Sequence, residues 1–301
     1  MIKANLAVLI IILASNCGLA QLGINSQNLD VLKESKLIFI HPPGDEEELK
    51  LFKEQVAEVW KVNEIIVLSE KEYALNPPKG DFSYLTLDAQ VNTGFDQKID
   101  DLSISNTHVY LEISRNKNDY HYQFARIEMH ISHNYTSSKQ STTSHKMDGS
   151  QLVYNYSLGY IKNVLGHISN YMGSNNSRDL YYEFSLPEMT KVKNDTLFIP
   201  DFVFAKYNSF GGVVKGTLNI EKVMSSYPYP YKILSNAELS KRILDKSTSF
   251  FYLMYIRSST FKFISIWNSR ANRMYYSKFS NPSYNFQGKD LKKIASKVKK
   301  K

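Results

Sequence analysis

The chain has 301 residues, 43% of them hydrophobic, which is enough for a core in one large or two ordinary domains. Its formal charge is +8, but seven lysines and a single acid crowd into the last thirteen residues, so the rest is close to neutral and has no basic stripe of the kind that reads nucleic acid. The only cysteine, Cys17, lies in an apolar N-terminal segment, which excludes a cysteine nucleophile, a thiolate zinc site and a disulfide-stapled fold from the chain beyond it.

Met1 to Ala20 carries Lys3, an apolar run from Leu6 to Ala14, and Gly18-Leu19-Ala20 ahead of Gln21, the pattern of a signal peptide cleaved after Ala20. The run is shorter than the roughly 20 residues needed to span a bilayer. A lipid anchor on Cys17 fits less well, because Asn16 stands where a Gly, Ala or Ser is usual. The expectation is an exported protein, periplasmic or secreted, with no transmembrane helix after cleavage.

Lys36 to Ile40 reads as a buried strand, broken by Pro42-Pro43-Gly44. Asp45 to Val62 reads as a helix with Leu49, Phe52, Val56, Val59 and Trp60 on one face, and Glu64 to Ser69 as the next strand, which makes a strand-helix-strand unit with parallel pairing. Asp81 to Leu87, His108 to Arg115 and Tyr120 to Ser132 alternate like antiparallel strands, with a hairpin turn over Asn116 to Asp119. Ser137 to Ser150 is a polar loop, and Leu152 to Met172 has helical spacing. Leu180 to Leu186 and Thr196 to Lys206 read as strands around a Lys193-Asn194-Asp195 turn, and Phe210 to Tyr229 as linker or lid. Tyr231 to Leu234 is a strand; Ser235 with Glu238 forms a capping box opening a helix over Asn236 to Lys246. Three strands follow, Phe250 to Arg257, Lys262 to Asn268 and Arg273 to Phe279. A terminal helix from Gly288 turns Leu291, Ile294 and Val298 inward and its lysines outward.

The fold class is therefore α/β (α+β), with mixed sheets built from strand-helix-strand units followed by antiparallel strands. The expected division is an N-terminal α/β unit over 21–150, a central helix, strands and linker over 151–229, and a C-terminal unit over 230–301. The two ends run in the same order. Val67-Leu68-Ser69, Glu72 and Phe82-Ser83-Tyr84-Leu85 parallel Ile233-Leu234-Ser235, Glu238 and Phe251-Tyr252-Leu253, the pattern of a diverged internal repeat.

Searched for chemistry, the chain yields little. His41-Pro42-Pro43-Gly44-Asp45 stands where a phosphate loop would, but lacks its glycines and puts the carboxylates of Asp45 to Glu48 on the helix N-terminus. His121, His130, His133 and His145 cluster in sequence, with Glu128 on the same face as His130, yet strand geometry turns His130 and His133 to opposite faces; they read as exposed histidines rather than ligands. No nucleophile elbow is present. Glu183, Glu188, Asp195 and Asp201 sit at predicted strand ends and read as turn formers and caps. Asn134, Asn155, Asn175 and Asn194 fit the glycan acceptor pattern, which a bacterial source would leave unmodified. The 21 Tyr and 16 Phe suit strand packing, and equally a sugar platform. The sequence singles out no catalytic, cofactor-binding or metal-ligating residue, and no cofactor is expected.

In the last third, Ile233-Leu234-Ser235, Glu238-Leu239 and Phe263 to Asn268, leading through Asn272 into Met274-Tyr275-Tyr276-Ser277, resemble the small α/β modules of bacterial envelope proteins. Examples are the amino-terminal domain of TolB-type translocation proteins and the core of CsgG-type secretion channels. The tip lacks their glycine, so Asn272 must take any positive φ. The whole chain also resembles exported proteins common in Bacteroidota-type genomes. The expected function is a non-catalytic binding or structural protein of the cell envelope, with an envelope protein as partner. Its contact would be edge-strand pairing or aromatic anchoring. The alternatives are a secreted hydrolase of polysaccharide or peptide using carboxylates, and a carbohydrate-binding module.

Overall fold

The computed structural model describes residues 23–42, 45–95, 103–130, 153–174, 178–179, 181–208, 213–245, 247–257, 261–281 and 283–299. The export segment, the 137–150 loop, His133, His145, Asn134 and Asn175 lie outside them.

In chain order the first half contains β1 (Gly23–Ile24), α1 (Leu29–Lys33), β2 (Lys36–Ile40), α2 (Glu46–Val59), β3 (Ile65–Leu68), α3 (Glu70–Leu75), β4 (Phe82–Phe95), β5 (Ser103–Lys117) and β6 (Tyr120–Met129). Helix α4 (Leu158–Gly173) leads through β7 (Arg178–Asp179), β8 (Phe184–Ser185) and a 3-10 helix (Pro187–Asn194) to the second half. That half holds β9 (Leu197–Pro200), a 3-10 helix (Asp201–Phe204), β10 (Ala205–Asn208), β11 (Val213–Thr217), α5 (Ile220–Met224), β12 (Tyr231–Leu234), α6 (Asn236–Leu244), β13 (Phe251–Arg257), β14 (Lys262–Asn268), β15 (Arg273–Ser280) and α7 (Gly288–Lys299).

Two mixed sheets result, in the orders β3-β2-β4-β5-β6-β1-β7 and β12-β9-β13-β14-β15-β8, with β10 and β11 as a separate ribbon. Their five leading strands match one for one. In each, a central strand is flanked by two parallel neighbours, and two antiparallel strands follow. Lys36 pairs with Phe82 as Leu197 pairs with Phe251, so β2-β4 and β9-β13 correspond residue by residue. The sequence parallel between the two ends is thus a parallel of topology.

Local chemistry explains the boundaries. The Ser69 and Ser235 side chains each accept from the backbone N–H three residues on, and Glu72 and Glu238 reach back to the cap N–H, closing two capping boxes at equivalent places. Asn118 and Asp119 at φ 52° and 60° make the tight β5-β6 turn, with both central residues left-handed. Asn272 has φ 46°, the conformation expected where the tip lacks glycine.

Strand alternation divides the interior into two cores. Phe39, Leu85, Leu111 and Ile127 of the first sheet meet Tyr252, Met254 and Trp267 of the second across α2, α4 and α6. The other face of the second sheet, with Leu197, Leu253, Tyr255 and Ile264, packs on α5, α7 and the first 3-10 helix. Leu291, Ile294 and Val298 of α7 are buried as the sequence predicts. Among the described residues, no helix is long and apolar enough to cross a membrane.

Several expectations fail. The strand expected over 180–186 is reduced to the two residues of β8, and the one over 196–206 is broken by a 3-10 turn, because Pro200 ends the ladder and Val203 and Phe204 fold back into the second core. Where the sequence reading places a turn, Lys193 and Asn194 end a 3-10 helix capped by Asp195. The linker over 210–229 contains β11 and α5, whose Val223 and Met224 are buried.

Candidate functional site

Each sheet has one end closed by a two-residue strand, β7 or β8, and one end left open at β3 or β12. The β12 edge is built by Tyr227-Pro228-Tyr229-Pro230, where the prolines hold the chain extended into the strand and the rings of Tyr227 and Tyr229 meet edge to face at 5.5 Å. Leu197 N–H donates to Pro230 C=O, with Tyr231 opposite Leu197. Parallel pairing alternates from there, so Lys232 and Leu234 bond inward to β9, while the N–H and C=O of Tyr231 and Ile233 point out of the sheet. No described strand pairs that edge. Tyr231 is 42% exposed and Lys232 is exposed beside it. On β3 the same alternation, set by Leu37 N–H to Glu64 C=O and His41 N–H to Leu68 C=O, turns Ile65 and Val67 outward.

A second polar concentration lies on one face of β5 and β6. A bulge between Ile113 and Ser114 in the β5-β6 register shifts the parity of β6, so His121 and Gln123 before it, and Arg126 and Glu128 after it, share a face with Tyr110 and Glu112. Glu112 accepts from Gln123 Nε2 at 2.6 Å and lies 3.3 Å from Arg126 Nε; Glu128 Oε1 is 2.9 Å from His108 Nδ1. The Arg126 guanidinium sits 3.9 Å over the Tyr110 ring. Burial lifts the Glu128 carboxyl above the ordinary carboxylate range, opposed by its His108 bond and by Arg126. Glu128, Glu112 and Tyr110 are buried among these mutual contacts, so the stripe is an internal polar network. Sequence reasoning placed Glu128 with His130, but its partner is His108, which strand pairing sets diagonally from it on the same face, two residues from the directly opposite Tyr110. The period-two pattern of β5 puts His108 and Glu112 on one face, but the pairing with Glu128 comes from the strand register.

A shallow groove of about 600 Å³ lies at the carboxyl ends of β2 and β3, lined by His41, Glu46, Lys50, Lys53, Glu54 and Glu72. This is where open α/β sheets place ligands. Glu72, however, is committed to the capping box. Its hydrogen bonds to the Ser69 backbone and hydroxyl hold its carboxyl below the usual range, the opposite of what a general acid needs. Asp45 caps α2 by accepting from Glu48 N–H, and its carboxylate-rich first turn repels anions as the sequence implied.

The remaining candidates take structural places. His130 is not an exposed strand histidine; it is 1% exposed, enclosed by Tyr154, Phe202 and Tyr255. His121 is exposed and bonds Asn116 and Glu112. Asn155 is buried, accepting from His130 N–H, which closes it to a glycan in the folded protein. Glu183 pairs with Lys293 and Lys297 of α7; Asp195 bonds the Thr196 N–H; Glu188 and Asp201 open the 3-10 helices. Among the described residues no three His, Cys, Asp or Glu side chains could hold a metal ion together. Tyr120 and Tyr122 meet edge to face, not as a coplanar platform for a sugar. Comparison with known protein families, with curated proteins and with solved structures yields no match to this chain.

Proposed function

We propose that this chain is an exported, non-catalytic binding protein of the bacterial cell envelope that engages a partner protein by adding a strand to the open edge at β12. The observation that carries the reading is the pair of outward N–H and C=O sets at Tyr231 and Ile233, beside an exposed tyrosine that can anchor a partner side chain. Export rests on the N-terminal signal pattern. The commitment of Glu72 to a helix cap and the burial of the Glu128 network speak against the hydrolase alternative.

The test is a photocrosslinking residue placed at Tyr231 in a native-type host, with Tyr182, 73% exposed, as the control position. One envelope protein should be captured from position 231 and not from 182. Ile233→Pro removes an outward N–H and part of a side chain packed on the second core but leaves the ladder to β9 intact, so it should abolish capture while the protein stays folded; Leu234→Pro breaks that ladder and should unfold the edge. Equal labelling from both positions, or cleavage of glycan or peptide by the purified chain, would overturn the reading.

A further inference from the structure

His130 directly follows β6 and reaches from the first sheet into the second. Its Nδ1 lies 3.0 Å from the Tyr255 carbonyl oxygen on β13, which fixes that nitrogen as the protonated donor. Its backbone N–H donates to Asn155 Oδ1 at 2.7 Å, and its C=O accepts from Tyr154 N–H at 2.9 Å. The ring stands edge-on to Tyr154, Phe202 and Tyr255 at 5.0 to 5.3 Å, and Tyr154 and Phe202 stack on each other at 4.5 Å. Nε2 is buried with no hydrogen-bond partner among the described residues.

The groups facing this ring leave an added proton without compensation. From β13 come Tyr255 and the Arg257 guanidinium, itself laid over the Tyr207 ring of β10 at 4.0 Å. From the segment before α4 come Tyr154 and Asn155, and from the second 3-10 helix Phe202, with the exposed Asp201 at its start. On β6 itself Glu128 is bound to His108. Beyond Tyr255, Asp290 is already paired with Lys262 at 2.5 Å. Among the described residues, the nearby charge acting on the imidazole is therefore a cation, Arg257.

We infer that His130 is an acid-sensitive latch joining β6 of the first sheet to β13 of the second, closed while the ring is neutral and opened when Nε2 takes up a proton. Burial first, and Arg257 second, hold the imidazole well below its ordinary value. The closed state therefore has its full stability above about pH 6.5 and loses it as the pH falls, because only the opened chain binds the proton.

Amide exchange, corrected for its intrinsic pH dependence, should show protection around residues 127–130 and 255–257 falling about tenfold per pH unit below pH 6, the slope for one proton. His130→Asn, which keeps a donor for the Tyr255 carbonyl but cannot titrate, should flatten that slope. Protection that is independent of pH down to about pH 5, or an unchanged slope in the variant, overturns the latch. If the variant fails to fold, histidine-ring NMR of the wild-type protein decides. The His130 signal should stay neutral until exchange begins, and titration near pH 6.5 with protection intact overturns the inference.

Discussion

The two five-strand modules have one topology and opposite surroundings. In the second, β13 and β14 are buried at every position, because α6 lies toward one core while α5 and α7 fill the other. In the first, α2 and α4 cover one face only; α3, the counterpart of α6, buries no residue, and the outer face keeps the polar stripe of Glu112, Arg126 and Glu128. What differs is the neighbour each face meets. The face that α6 presents is docked against the first module, whereas among the described residues the α3 face meets no second sheet. Repeating a topology therefore does not repeat a hydrophobic pattern.

Matched substitutions test this difference most strongly at Leu253 and Tyr84, which occupy equivalent positions in β13 and β4. Leu253→Ala should cost about 4 kcal/mol, as a cavity in a fully buried strand does. Tyr84→Ala, on the half-covered face, should cost about 1 kcal/mol, both read from denaturant midpoints. Equal losses would mean the outer face of the first sheet is as tightly packed as the second core. The seam between the modules comes next. A Cβ at Gly159 would overlap the Ser240 carbonyl, so Gly159→Val should cost about 3 kcal/mol. It should also separate the melting of the two modules in calorimetry; a single unshifted transition would count against the seam. The smallest contrast lies in the caps. Ser235→Ala should cost about 1 kcal/mol, and Ser69→Ala less than about 0.5 kcal/mol, because α3 frays without exposing core.

Much of this was legible in the sequence where side-chain period reports burial. KLIFI and Phe251 to Arg257 are strands because short runs of apolar, β-favouring residues fit a pleated sheet, and Ser235 with Glu238 marks a helix start by its own hydrogen bonds. Asn272 was readable because few residues tolerate its backbone. The open edge was not readable. Tyr231 to Leu234 looks the same whether a neighbour pairs it or not, and only strand order exposes it. The burial of His130 was also hidden, since its enclosing rings, Phe202 and Tyr255, come from residues 72 and 125 positions away. The His108–Glu128 pair depends on a register that composition does not encode.

Helix α4 carries a consequence for how the chain must be made. Thirteen of its sixteen residues are interior, and Lys162 and Asn163 bond Ser269, Asn272, Tyr252 and Asn268, all near the C-terminus. During synthesis from the N-terminus, this helix emerges long before the strands that shelter it. The first half cannot finish folding on its own, and a chain interrupted before β13 would present an apolar, hydrogen-bond-hungry rod to its surroundings. Shielding that segment until the last third arrives is thus a kinetic requirement written into the position of one helix.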